Sequence, residues 1–269
     1  MNRPNPHPIA RLRDLLRQLR RLGDVPAPAT ILPKVLDQVG LVESYAPLET
    51  PIGRLFVAYT KHGVSAVMRA PSEADFERQY RLRFGRQPRR TAEPPATLMR
   101  RLHRRVNGAK YSSPRLDLRH LSDFERAVLL KVLQIPRGEV RPYAWVAREI
   151  GSPKAVRAVG SALRRNPIPL VIPCHRVVRS DGSAGEYVFG SEAKRALLVA
   201  EGVDVEALDK LARSGTRYNG SDTTQVYCFP TCRNARRITE RHRVSFGSVG
   251  EATAAGYRPC MVCRPARAS

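Results

Sequence analysis

The sequence predicts a protein of mixed α and β structure built from several domains. Three observations predict it: the chain has 269 residues, a strand-hairpin pattern lies in its first third, and a series of helix signals precedes two pairs of cysteines. A chain of this length exceeds the usual size of one domain. We therefore expect two or three domains, at least one of them with a sizeable core.

The hairpin pattern lies at positions 55–68. Two apolar runs, 55–59 and 64–68, flank Lys61, His62 and Gly63, which is typical of two strands joined by a turn. The arginine-rich stretch 76–110 is interrupted by prolines and predicts surface helices joined by a solvated loop. We expect residues 31–117 to form one α/β domain.

A mainly helical unit follows, with a helix-turn-helix pattern. Ser122 and Glu125 form a capping box at the start of its first helix. A short helix begins at Pro142, and a further helix is predicted to begin at the cap Ser152-Pro153, with Gly151 between them. Two helices joined by a tight glycine-containing turn are typical of helix-turn-helix motifs.

The second of these helices carries a basic face. Arg157, Ser161, Arg164 and Arg165 share one side of it, and no acidic residue interrupts them. A charged stripe is more often a solvated face, but the missing acidic residues favour contact with phosphates or bases.

The overall charge also favours a nucleic-acid partner. Lys and Arg number 47 against 24 Asp and Glu, which leaves a formal charge of +23. Such an excess suits a polyphosphate backbone. A ribosome-associated or merely soluble basic protein is the alternative that charge alone leaves open.

Targeting signals are sparse. No apolar run approaches the roughly 20 residues that span a bilayer, so no membrane partner is expected. Residues 1–30 are predicted to form a basic amphipathic arm. Three roles stay open for it: a transit segment, a phosphate-binding arm or a helix packed on the first domain. No secretory signal is seen, so we expect reduced cysteines in a cytoplasmic protein, nucleoid-associated if bacterial.

The five cysteines divide into one and four. Cys174 lies between Pro173 and His175, after the strand-like apolar run 169–172. A cysteine beside a histidine can be a nucleophile with its base, although an inert buried cysteine is about as common. Glu201, in the last turn of a helix predicted to be capped by Ser191, opposes the helix dipole and needs a partner such as a histidine.

The other four cysteines have the spacing of a metal site. Their arrangement is C-x3-C followed by C-x2-C, and in a reduced compartment this predicts tetrahedral thiolate ligation of one zinc ion. No organic cofactor is expected. The ligands are Cys228, Cys232, Cys260 and Cys263.

The sequence around Cys174 resembles the active-site signature of the O6-alkylguanine-DNA alkyltransferases. The resemblance rests on Ile-Pro-Cys-His-Arg-Val-Val at 172–178 and runs from about Phe124 to Val203, through the segments 138–140 and 153–160 and Asn166-Pro167. It implies a ribonuclease-H-like amino-terminal domain and a winged-helix-like alkyltransferase domain at 118–207, whose helix-turn-helix enters the minor groove.

The resemblance also implies a reaction and roles for residues. Cys174 would accept an alkyl group once and irreversibly, from O6-alkylguanine or also O4-alkylthymine flipped out of double-stranded DNA. His175 and Glu201 would serve Cys174, Asn166 would hold the active-site turn, and the protein would be a monomer. The implied substrate and DNA contacts are Tyr143, Arg157, Ser161, Arg164, Pro169, Val177, Tyr187, Val188 and Lys194.

The cysteine module at 216–269 resembles the zinc domain of the Ada protein. That resemblance implies that Cys228 can also accept a methyl group from a DNA phosphotriester, or that the zinc is only structural. Three rival functions stay open: a noncatalytic damage-recognition protein, a regulatory DNA-binding protein and a cysteine hydrolase. A transcription activator of the Ada type is not favoured, because no second helix-turn-helix pair follows Cys263.

Overall fold

The computed structural model describes residues 43–108 and 114–266; the predicted basic arm at 1–30 lies outside them. The described chain combines a sheet with two helices, a cluster of helices around Cys174, and a second small sheet that carries the other cysteines. Mixed helix and sheet content was predicted, and it is confirmed. No helix in these ranges is long and apolar enough to cross a membrane.

The first sheet contains the predicted hairpin. The strands are β1 Ser44–Leu48, β2 Leu55–Thr60, β3 Gly63–Met68 and β4 Arg89–Arg90. They run in the order β3-β2-β1-β4, with β1 antiparallel to β2 and parallel to β4. Gly63 closes the hairpin at φ 135°, and a Cβ there would lie 2.3 Å from the carbonyl oxygen of Arg115, so only glycine fits.

Two helices accompany this sheet, α1 (Glu73–Phe84) and α2 (Ala96–Val106). They form the arginine-rich stretch, and their solvated faces agree with the prediction, but α1 also buries Phe76 and Tyr80. The Phe76 ring stacks 5.1 Å from that of Phe56 on β2. The prediction missed this aromatic core because the arginines between the aromatic residues hide the apolar spacing.

The helical unit begins with α3 (Asp123–Leu133), and both hydrogen bonds of the predicted capping box are present. The helix-turn-helix consists of α4 (Tyr143–Glu149) and α5 (Val156–Arg164). The predicted cap Ser152-Pro153 is wrong, because a turn occupies these residues and α5 starts only after Ala155.

The predicted strand-like run 169–172 is also wrong. Pro169 and Leu170 form a tight turn in which the φ of Leu170 is 74°, a conformation that costs a bulky residue of order 1–3 kcal/mol. Two strands of two residues each pair in parallel, β5 (Arg141–Pro142), which precedes this turn in the chain, and β6 (Val177–Val178), which follows it.

Two more helices lead out of this unit, α6 (Ser191–Ala200) and α7 (Val205–Arg213). Gly190, and not the predicted Ser191, is the cap of α6, and the Ser191 side chain makes no capping bond. The sequence predicts that a domain ends at position 207, and helix α7 continues across this position.

The second sheet belongs to the cysteine module. The strands are β7 Tyr218–Ser221, β8 Val226–Cys228, β9 Arg243–Phe246 and β10 Arg258–Pro259. They run in the order β10-β8-β7-β9 in the sheet, and the helix α8 (Val249–Ala254) lies between β9 and β10 in the chain. All four cysteines of the module belong to the same hydrophobic core as Trp145 and Val146 of α4.

The two serines that begin helices give a test of the cap assignments. We expect Ser122→Ala to lower the free energy of unfolding by about 1 kcal/mol, because it removes a capping box. Ser191→Ala is the matched control and should change it by a few tenths at most, since no cap bond is lost. Denaturant unfolding measures both, and equal losses would contradict the assignment.

Candidate active site and metal centre

Asn166 holds the turn that carries Cys174. Its amide nitrogen donates to the carbonyl oxygen of Ile172 (3.3 Å) and to the sulfur of Cys174 (3.1 Å), while its amide oxygen accepts from the backbone N–H of Ile168 (3.0 Å). The side chain is fully buried. One amide thus closes the turn and touches the sulfur, as the predicted role of Asn166 requires.

The thiol of Cys174 is buried at the start of a single helical turn, Cys174–Arg176. Burial raises its pKa to about 11, although the Asn166 bond and the nearby Lys194 charge oppose the rise. Cys174 is therefore a neutral thiol at pH 7, and a nucleophilic role requires a proton acceptor.

His175, Glu201 and Arg176 form a connected set behind the thiol. Nε2 of His175 lies 3.1 Å from Oε1 of Glu201, and the guanidinium of Arg176 donates two bonds of 2.7 Å to the same carboxylate. Burial pushes the pKa of Glu201 upward, but the bonds from His175 and Arg176 outweigh it and bring it to about 2. Burial lowers the pKa of His175, so the imidazole is neutral at pH 7.

The structure places both a histidine and an arginine against the Glu201 carboxylate. A carboxylate at a helix end needs a compensating partner, and the structure supplies both a histidine and an arginine. The prediction missed Arg176, although it directly follows His175 in the sequence. Its third contact, from Nη1 to the carbonyl oxygen of Ile135 (2.6 Å), ties the set to the end of α3.

A cleft of about 630 Å³ opens above the thiol. It gathers seven of the predicted site residues and adds Gly160, Leu163, Arg179, Gly185 and Glu186, which sequence reasoning missed. Arg179 and Glu186 carry no motif signal, because the loop that bears them has no regular structure. The seven are Tyr143, Arg157, Ser161, Arg164, Cys174, Tyr187 and Val188.

Three predicted contacts lie beneath the cleft and not on its surface. Pro169 and Val177 are buried, and the Nζ of Lys194 donates to the carbonyl oxygens of Val177 (2.6 Å) and Glu186 (3.3 Å). Burial lowers the pKa of Lys194 to about 8. These residues support the cleft floor and the loop above it.

The basic face of α5 borders the cleft. Arg157 and Arg164 are exposed, and Ser161 is half-buried beside them. Arg165 belongs elsewhere, because its guanidinium pairs with Glu125 of the capping box at 2.9 Å and its backbone carbonyl oxygen accepts from Arg83. The cationic rim of the cleft therefore comes from Arg157, Arg164 and Arg179.

The four remaining cysteines meet at one buried point. Their sulfurs all lie within 4.8 Å of one another, and none is in a disulfide. Hydrogen bonds within the cluster, chiefly from Cys228, lower the pKa of Cys260. Four sulfurs this close, with no disulfide, match the donor set and spacing of a tetrahedral thiolate zinc site.

A second cleft of about 560 Å³ reaches this cluster from the module's surface. Of the four cysteines, only Cys228 lines it. Around Cys228 the lining is cationic and rich in hydrogen-bond donors, with Asn234, Arg237, Thr239, Arg241 and Arg258 among its residues.

Both sites lie in segments that are similar to known proteins. Residues 123–203 match the model of the 6-O-methylguanine DNA methyltransferase DNA-binding domain, and residues 205–266 match that of the metal-binding domain of Ada. The methylated-DNA–protein-cysteine methyltransferase of Methanothermobacter thermautotrophicus is 51% identical over 92 residues, which cover 34% of this chain and 51% of that protein.

Two further relatives extend the match. The bifunctional transcriptional activator and DNA repair enzyme Ada of Escherichia coli K12 is 34% identical over 172 residues, 62% of this chain and 47% of Ada. The structure of Mycobacterium tuberculosis OGT in complex with DNA has a TM-score of 0.50 and 29% identity, covering 62% of this chain and 99% of that one. The chain spans about half the length of these two curated relatives.

The chain thus contains one segment similar to a DNA-binding domain and one similar to a metal-binding domain, as its charge and its cysteines indicated. Residues 123–203 are similar to the DNA-binding domain of the 6-O-methylguanine DNA methyltransferases, and residues 205–266 are similar to the metal-binding domain of Ada. Both resemblances drawn from the sequence are confirmed.

The raised pKa of Cys174 predicts a pH profile. In metal-loaded protein, alkylation of Cys174 by iodoacetamide should speed up about tenfold per pH unit from pH 7 to pH 10, because only the thiolate reacts. Asn166→Ala removes a donor to the sulfur, so the rate at each pH should fall. Mass mapping of the Cys174 peptide gives the rate, and a plateau below pH 9 would refute the profile.

Proposed function

We propose that this protein repairs DNA directly, by moving an alkyl group from O6-alkylguanine to Cys174 once per molecule. The observation that carries the proposal is the placement of a buried thiol at the floor of a cationic cleft, with the His175–Glu201 pair behind it. The same proposal includes transfer from O4-alkylthymine, binding of double-stranded DNA, a monomeric state and a cytoplasmic location.

The reaction balances with the groups present. The sulfur of Cys174 attacks the alkyl carbon, a carbon–sulfur bond forms, and the bond from that carbon to O6 breaks. The thiol proton passes through a water to Nδ1 of His175, which has no partner among the described residues, and ends on the released guanine. The thioether has no easy route back to a thiol, so the protein is consumed.

The cleft supports extrusion of the damaged base. A base inside the stack cannot reach Cys174, and flipping it costs a few kcal/mol. Arg157 and Arg164 on the rim can bind the backbone and fill the gap that the base leaves, while Tyr143 lies on the cleft wall with a phenol whose pKa is raised by burial. The phenol thus stays a hydrogen-bond donor toward the guanine.

The same proposal extends to the architecture. We assign residues 31–117 to a ribonuclease-H-like domain, 118–207 to a winged-helix-like alkyltransferase domain and 216–269 to a zinc module. The four-stranded sheet, the α4–α5 pair with the adjoining β5–β6 strands, and the sulfur cluster support the three assignments.

A second acceptor is favoured by one observation, the opening of the module's cationic cleft onto Cys228. A bound zinc would hold the four sulfurs as thiolates, and a zinc-bound thiolate stays nucleophilic. Arg237, Arg241 and Arg258 suit a phosphate backbone. Cys228 would then take a methyl group from a phosphotriester, whereas a purely structural zinc predicts no such transfer.

Mass mapping after incubation with methylated DNA tests both acceptors. With a duplex carrying labelled O6-methylguanine we expect one methyl per protein, on Cys174, and none in Cys174→Ala, which should still bind DNA. Methyl phosphotriester DNA should label Cys228. Release of product beyond one equivalent would instead favour a hydrolase, and DNA binding without any transfer would favour a damage-recognition or regulatory protein.

Phe189 supports Tyr187 on the wall of the cleft and so limits the size of the group that can be transferred. The centres of the two rings are 5.6 Å apart, and the guanidinium carbon of Arg69 lies 5.6 Å from the centre of the Phe189 ring. We expect slow reaction with O6-benzylguanine and a rate at least several-fold higher in Phe189→Gly, with methyl transfer little changed. Rapid labelling of the unaltered protein by O6-benzylguanine would overturn this.

A further inference from the structure

The segment 138–145 lies between the sulfur cluster and the active site. From the sequence, this segment is predicted to contain only a turn and the start of a helix. In the structure it contacts the cysteine module on one side and the strand that follows Cys174 on the other. The two centres are therefore connected through a few well-defined bonds.

On the module side, two hydrogen bonds lie next to Cys232. Oε1 of Glu139 accepts from the backbone N–H of Arg233 at 3.1 Å, and Oγ1 of Thr231 accepts from the backbone N–H of Val140 at 2.9 Å. A third bond joins Nε1 of Trp145 to the carbonyl oxygen of Cys263 at 3.0 Å.

Glu139 also fixes a buried arginine. Its second carboxylate oxygen bonds the guanidinium of Arg141, and both residues are 2% exposed. That guanidinium lies 5.7 Å from the ring centre of Trp145 and 5.3 Å from that of Phe229, the residue after Cys228. Removing the carboxylate would leave a buried, unpaired cation, which proteins tolerate poorly.

On the active-site side, Arg141 belongs to β5, which pairs with β6 in the register Arg141↔Val177. Val177 follows the Cys174 turn directly, and Tyr143 follows β5 directly and lines the cleft. Gly138 packs against the end of α6 as well, where a Cβ would lie 3.1 Å from the carbonyl oxygen of Glu201.

We propose that Glu139 is a positioning residue that couples metal binding by the cysteine cluster to alkyl transfer at Cys174. The inference rests on the proposed function only in taking Cys174 as the acceptor. With a metal held by the four cysteines, the loop around Cys232 would be ordered, Glu139 would transmit that order to Arg141, and β5 would hold β6 and Tyr143 at the cleft. Glu139 accepts from the backbone N–H of Arg233, the residue after Cys232, so loss of Glu139 should also weaken metal binding.

The test uses the full chain, with zinc bound and after treatment with a strong chelator. Two quantities are measured: zinc affinity by competition with a chromophoric chelator, and the rate of methyl transfer to Cys174 from an O6-methylguanine duplex. In the unaltered protein we expect metal removal to slow transfer about tenfold, within the usual range of coupling between sites.

Three variants make the test specific to Glu139. Glu139→Ala should lower zinc affinity several-fold, and its transfer rate should be low with or without metal. Glu139→Gln keeps an acceptor for the Arg233 N–H and should restore part of both losses. Glu149→Gln removes a carboxylate that pairs with Arg264 at the same interface but does not touch β5, so its ratio of metal-loaded to metal-free rates should match the unaltered protein.

The outcomes separate the two proposals. Equal transfer rates with and without metal in the unaltered protein would refute the coupling and leave Cys174 as the acceptor. If neither the unaltered protein nor any variant transfers methyl to Cys174, the proposed function fails and the coupling fails with it, and a lower zinc affinity in Glu139→Ala would then show only that Glu139 supports the cysteine cluster. Should Glu139→Ala not fold, as circular dichroism would reveal, Glu139→Gln decides: zinc affinity equal to that of the unaltered protein would refute the inference.

Discussion

The amide of Asn166 is the contact on which the rest of this structure depends. It satisfies three hydrogen bonds inside a turn whose backbone is strained at Leu170, and one of them ends on the sulfur of Cys174. A left-handed leucine persists only where its surroundings over-determine it. The thiol therefore has a fixed position because a fully buried amide leaves the turn no alternative set of partners.

Neighbouring parts of the chain also donate hydrogen bonds to the segment that contains this turn. From the first sheet and its helices, the backbone N–H of Val67 donates to the carbonyl oxygen of Pro167 (2.8 Å), and Arg83 donates to that of Asn166 (3.2 Å). Arg105 reaches the carbonyl oxygen of Val171 (3.2 Å). The first sheet and its helices thus supply donors to the segment 166–171, whose prolines leave it short of regular hydrogen bonds.

Local sequence predicted what depends on local chemistry. The hairpin, the capping box at Ser122 and the sulfur cluster follow from turn residues, short-range caps and ligand spacing. The turn at Pro169 is not predicted, because an apolar run does not reveal which side chain, here Asn166 three residues before it, will replace its backbone partners. Arg176 and Glu139 were missed for the same reason, since their partners lie far away in the sequence.

Burial and reactivity oppose each other at Cys174. At a pKa of about 11 the thiolate at pH 7 amounts to about one molecule in ten thousand. Glu201 cannot accept the proton, because the bonds from His175 and Arg176 outweigh the effect of burial and keep its pKa near 2; it orients His175 instead. Under the proposed function the acceptor is used only once, so a reaction with a stray electrophile would waste the protein. A protonated, enclosed thiol reacts slowly with such compounds, whereas a base delivered into the cleft by DNA would bring its alkyl carbon next to both the sulfur and His175.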